Sequence, residues 1–153
     1  MVMNIKNFFW GLSLLALSIV SCSDDDDINA NEVPQAVDAT FNQTFPNATD
    51  IEWEAKNNKY EVEFDIETID HKALIASDGS IEQYKYDIVA TELPAEVTSK
   101  LSTDYPNNRL DDSEVLKIGT QTYYQVELEN EPQDIYLVFQ EDGEINSEVT
   151  YFQ

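Results

Sequence analysis

Basic residues are scarce in this chain of 153: 8 Lys plus Arg stand against 31 Asp plus Glu, a net charge of −23. A protein built to grip phosphate backbones is thereby excluded, because repulsion would act before any contact formed. Glycine numbers 4, too few for phosphate-cradling loops of the P-loop or dinucleotide-binding type. One Cys and one His rule out an intramolecular disulfide, a CxxC pair, an HExxH helix and a multi-histidine metal centre. No GxSxG turn accompanies His71, so a serine hydrolase is not supported, and His71 between Asp70 and Lys72 reads as a surface imidazole responding to nearby acids.

Long apolar runs are also missing, apart from the uncharged stretch Phe8 to Val20 after the lone cation Lys6. That layout is a secretory signal, too short to span a bilayer. It ends in Ile19, Val20, Ser21, Cys22, which resembles the lipobox of bacterial lipoproteins. The resemblance implies cleavage before Cys22, acylation of its thiol and a stable anchor, each buried methylene contributing about 0.8 kcal/mol. Residues 1–22 are thus a signal peptide, and its loss leaves 7 basic against 31 acidic groups, −24. Residues 23–31, opening Ser-Asp-Asp-Asp-Asp, read as an acidic tether with too little apolar surface to fold. The run resembles the export signal of lipoproteins displayed on the outer face of the outer membrane; retention on the periplasmic face is the alternative.

Beyond the tether the chain repeats itself. A shift of 60 superposes Glu32, Pro34, Val37, Pro46 and Asn47 on Glu92, Pro94, Val97, Pro106 and Asn107. A shift of 64 then superposes Tyr60, Val62, Asp78 and Gly79 on Tyr124, Val126, Asp142 and Gly143. The units span 32–90 and 91–153. Each opens with a predicted helix whose apolar stripe is Val33, Val37, Phe41, Phe45 or Leu93, Val97, Leu101, Tyr105, and Pro46 and Pro106 stop both. Strands follow. Tyr60 to Glu67 alternates strictly, with Tyr60, Val62, Phe64 and Ile66 on one face and Glu61, Glu63, Asp65 and Glu67 on the other. Tyr124, Val126 and Leu128, opposed by Gln125, Glu127 and Glu129, repeat the pattern, and Ile145 to Tyr151 reads as a last strand. The Asp-Gly pairs at 78–79 and 142–143 read as tight turns. The predicted fold is α+β: two tandem units of one helix plus a four-stranded antiparallel sheet, with the helices on one sheet face.

The order Pro34, Val37, Phe41, Phe45-Pro46-Asn47-Ala48, Tyr60-Glu61-Val62-Glu63-Phe64 and Ser77-Asp78-Gly79-Ser80-Ile81 resembles the PepSY-like, β-lactamase-inhibitor-like domain of bacterial lipoproteins. The resemblance runs from about 33 to 151. It implies tandem helix-plus-sheet units and partner binding through the open sheet face, possible inhibition of an extracellular enzyme included.

No residue stands out as catalytic, cofactor-binding or metal-ligating, since among 31 acids some pair always looks suitable. The candidate site is a surface: Glu61, Glu63, Asp65, Glu127 and Glu129 as a docking face for a basic protein or peptide, with Tyr84, Tyr86, Tyr123 and Tyr136 as aromatic anchors where they point outward, and no nucleic acid as partner. The function expected is a lipid-anchored, non-enzymatic binding module of the cell envelope, held to the membrane through lipid on Cys22. Divalent-cation (calcium) dependent binding or sensing is the alternative.

Overall fold

A computed structural model describes residues 27–153. Lys6, Cys22 and the first part of the acidic run therefore lie outside the described residues. The elements run β1 (Asp27–Ile28), α1 (Gln35–Thr44), β2 (Thr49–Lys56), β3 (Lys59–Ile66), β4 (Ile69–Ala76), β5 (Ile81–Asp87), α2 (Ala95–Asp104), β6 (Leu110–Ile118), β7 (Gln121–Leu128) and β8 (Ile135–Phe139). Each helix follows a short 3-10 turn, Ala30–Glu32 or Ala90–Glu92. Among the described residues, no helix is long and apolar enough to cross a membrane.

The strands form one antiparallel sheet of eight in the order β1 to β8, which overturns the expected pair of four-stranded sheets. The join is β5 against β6, with Tyr84 to Asp87 opposite Lys117 to Glu114. Two separate sheets would have left both of these strands as edges with unpaired amides and carbonyls; pairing removes both edges at once. The second unit supplies three strands, not four. After β8 only the bridge Phe139–Ile145 remains, and the side chain of Asn146 accepts from the amides of Glu148 and Val149, bending the chain off the sheet. The predicted strand from Ile145 to Tyr151 is absent for that reason.

Two cores persist under the single sheet. Val37, Phe41 and Phe45 pack on Trp53, Val62, Phe64, Ala73 and Ile75, with the Phe41 ring 5.1 Å from Trp53 and 5.0 Å from Phe64 in edge-on geometry. Leu93 and Val97 pack on Val126, Leu128 and Phe139. Strand register puts Val62, Ala73, Tyr84, Lys117 and Thr122 in one row, and Thr122, Tyr124 and Val126 alternate along β7, so both helices lie on the same face of the sheet.

The Asp-Gly turns dock that arrangement. Gly79 and Gly143 have φ +90° and +82°, and a Cβ on either would sit 2.8 Å from a first-turn helix carbonyl, that of Ala36 or Glu96. The same close approach recurs in both units, so glycine is needed there for backbone conformation and for space. Segment 27–31, read as the end of a free tether, pairs Asp27 and Ile28 with Glu54 and Trp53, and Ile28 packs on the first core.

Candidate functional site

The face of the sheet without helices carries the acids that alternation pointed away from the core. Reading across the strands, Glu52, Glu63, Lys72, Lys85, Leu116 and Tyr123 form one row. Glu54, Glu61, Leu74 and Gln83 form a second, and Asp87, Glu114, Gln125 and Val138 a third. Asp112, Glu127 and Tyr136 lie beyond, and Asp65 faces Asp70.

Glu61, Glu63 and Asp65 are thus together, as expected. Glu63 is exposed, whereas the Glu61 side chain is only 12% exposed and sits 3.6 Å from the Lys72 ammonium. Glu127 shares the face but lies across the sheet beside Tyr136, whose hydroxyl it holds, raising the phenol pKa. Glu129 is past the end of β7 and is engaged by the Arg109 guanidinium, with Nε to Oε2 at 2.7 Å. Tyr84 and Tyr86 are on the opposite, helix-bearing face. Tyr84 Oη is 2.7 Å from His71 Nδ1, its ring is 4.9 Å from Phe45, and burial first, then Tyr86, lifts its hydroxyl pKa to about 12. The two tyrosines are therefore separated by the thickness of the sheet from the carboxylates with which they were grouped. Of the four tyrosines expected as anchors, Tyr123 and Tyr136 do share the acidic face.

His71 is not the surface imidazole expected. It is half-buried between Phe64 and Tyr84 at 5.4 and 5.7 Å, and burial lowers its pKa against an opposing pull from Asp70.

A cleft of about 460 Å³ opens at one end of the acidic face. Asp50, Glu52, Glu63, Asp65, Asp70, Asp87 and Asp112 line it together with Lys72 and Lys85. Burial first, and crowding second, show in the carboxyls. Burial, then a hydrogen bond and repulsion from Asp70, raises Asp65. Burial, then Asp112, Glu114 and Asp70, raises Asp87 to about 6 despite Lys85. Asp112 is raised chiefly by burial, with the Ser113 amide acting the other way. Like charges held at this density disfavour their own ionised forms and gain from any cation brought among them. Among the described residues, Asp87, Asp112 and Glu114 approach within 4.8 Å and are the group whose ligand atoms could converge on a metal, but Lys85 already donates to Glu114.

Sequence reasoning missed the centre of the face. Lys85 and Gln125 both donate to Glu114, which is 3% exposed, and Gln125 is fully buried. The cover is the chain's own last segment: Phe152 is buried, its ring 6.0 and 5.8 Å from the ammoniums of Lys72 and Lys85. Tyr151 packs edge-on against Tyr136 at 4.9 Å, and burial together with Glu114 and Asp112 raises its hydroxyl pKa. The one available signal was an aromatic pair, Tyr151-Phe152, in an otherwise polar terminal stretch.

A family model described as "Putative beta-lactamase-inhibitor-like, PepSY-like" matches residues 20–74 and again 76–147. No curated protein matches the sequence. Among solved structures, a BLIP-like protein from Bacteroides fragilis is similar at 23% identity and TM-score 0.65, covering 74% of this chain and 83% of that one. A Bacteroides eggerthii structure described as "putative periplasmic proteins" is similar at 16% identity and TM-score 0.69, covering 74% and 85%. At these identities the likeness concerns the fold.

Proposed function

The chain belongs to the PepSY-like, beta-lactamase-inhibitor-like family, and from that premise we propose a lipid-anchored, non-enzymatic module of the cell envelope that receives a basic protein or peptide on the helix-free face of its sheet. The observation that carries this reading is the crowded cleft. Asp65, Asp87 and Asp112 are all raised above ordinary carboxyl values on a face that no helix roofs. Arginine or lysine side chains entering the cleft relieve that repulsion and accelerate encounter over a surface of strongly negative potential. Of the four tyrosines expected as anchors, Tyr123 and Tyr136 keep that role and Tyr84 and Tyr86 lose it.

The fold neighbour described as periplasmic supports an envelope address, and the Ile19-Val20-Ser21-Cys22 ending supports a lipid on Cys22. The Asp run that follows supports display on the cell surface. Inhibition of an extracellular enzyme is the family-level form of the same binding.

The test is crosslinking and capture from envelope and secreted fractions with the 23–153 chain, at low and high salt, beside a variant carrying Glu63→Lys, Asp65→Lys and Glu127→Lys. Capture should fall with salt and be lost in the variant. Capture indifferent to both removes the electrostatic reading.

A further inference from the structure

The cover over the centre of the acidic face is held in a way that reads peptide chemistry. Gln125 offers its whole side-chain amide to Phe152: Oε1 accepts from the Phe152 amide at 2.7 Å and Nε2 donates to the Phe152 carbonyl at 3.0 Å. That pairing mimics one rung of a β-ladder, so it recognises a backbone, whatever residue carries it. Gln125 cannot swing away, because Nε2 also donates to Glu114 at 2.6 Å and Glu114 is fixed in turn by Lys85. Selectivity comes from the side chain. Lys72 and Lys85 stand near the Phe152 ring, where an aromatic face attracts ammonium groups, and Lys72 also donates to the Gln153 carbonyl at 3.0 Å.

The segment leading to Phe152 is not part of the sheet. Between Asn146 and Phe152 it has no strand pairing, Ser147, Glu148 and Thr150 are exposed, and Val149 and Tyr151 are only half-buried. It is a strap fastened at its end, where Tyr151 packs on Tyr136, Phe152 pairs with Gln125 and Gln153 accepts from Lys72.

We propose that Lys72, Lys85, Glu114 and Gln125 form a cradle for an extended peptide bearing an aromatic side chain, and that residues 151–153 are its resident, displaceable occupant. The partner is then a protein with an extended aromatic segment, which takes the cradle in trans when the strap lets go. This rests on the helix-free face being the binding face and adds the partner's chemistry. A strap tethered at high effective concentration weakens the apparent affinity of any free peptide by the fraction of time the cradle is open.

The experiment uses a fluorescent peptide of residues 147–153 (Ser-Glu-Val-Thr-Tyr-Phe-Gln) and a control with Ala in place of its Phe, titrated into the 23–153 chain and its Phe152→Ala variant, with sheet content checked by circular dichroism. Phe152→Ala should bind the peptide at least tenfold more tightly than the wild-type chain and ignore the control. Should Phe152→Ala lose its sheet signal, Phe152→Leu, which keeps an apolar anchor but no ring, takes its place and should still bind more tightly than the wild type. Equal binding by variant and wild type, binding of the control, or no binding to a folded variant overturns the cradle. A failed peptide titration with salt-sensitive partner capture intact rejects the cradle alone; failed capture with peptide binding intact rejects the basic-partner reading alone.

Discussion

Lys72 stands directly opposite Lys85 on neighbouring antiparallel strands, at the middle of the acidic face. Two ammoniums in that relation repel, and the pairing holds because each is neutralised from its other side. Glu63 is 2.6 Å from Lys72, and Glu114 accepts from Lys85. The pair organises the site: one lysine faces the open acids, the other the buried Glu114 and Gln125 beneath the strap.

Lys85→Met should cost about 3 kcal/mol in urea denaturation, because it leaves Glu114, 3% exposed, without its cation. The double change Lys85→Met with Glu114→Gln should recover most of that loss. A single variant within about 0.5 kcal/mol of wild type contradicts the account of Glu114 as a buried, paired charge.

Gly79→Ala and Gly143→Ala should each destabilise by about 1–3 kcal/mol, since both positions combine a positive φ with a helix carbonyl 2.8 Å from the new Cβ. Gly119, at φ +58° with nothing near its Cβ site, is the control and should lose about 1 kcal/mol or less. Equal losses at all three, read as thermal midpoints, would mean that the turn-to-helix approach contributes nothing.

Asp87 has a folded-state pKa of about 6, above its ordinary value of 3.8. The folded chain therefore binds the extra proton between those values, and this group's contribution to stability falls as pH rises from about 4 to about 6. Asp87→Asn should raise stability at pH 7 by about 1 kcal/mol, a figure reduced for solvent screening of a half-exposed group, and the gain should vanish below about pH 4. Unfolding curves of both proteins from pH 3 to 8 check the sign.

Cys22→Ser should release the protein from the membrane pellet and abolish incorporation of labelled fatty acid, if Cys22 is the lipid attachment point proposed. Fractionation unchanged by the substitution removes the anchor.

The amino-acid order by itself determined what is local. Alternation along Tyr60 to Ile66 sorted Val62 and Phe64 to the core and Glu61, Glu63 and Asp65 to the opposite face, because a strand's side chains change face at every residue. The fourfold apolar spacing marked both helices, and Asp-Gly marked both turns. What only the tertiary structure decided depends on partners distant in the chain. Asp87 meets Glu114 across the β5–β6 join that merges the two sheets, and Gln125 meets Phe152 across the strap; no periodicity records either. Tyr84 went to the helix-bearing face for the same reason. Its side is set by pairing with Ala73 and Lys117, and a face shared by strands is a property of register, which exists only once the strands have paired.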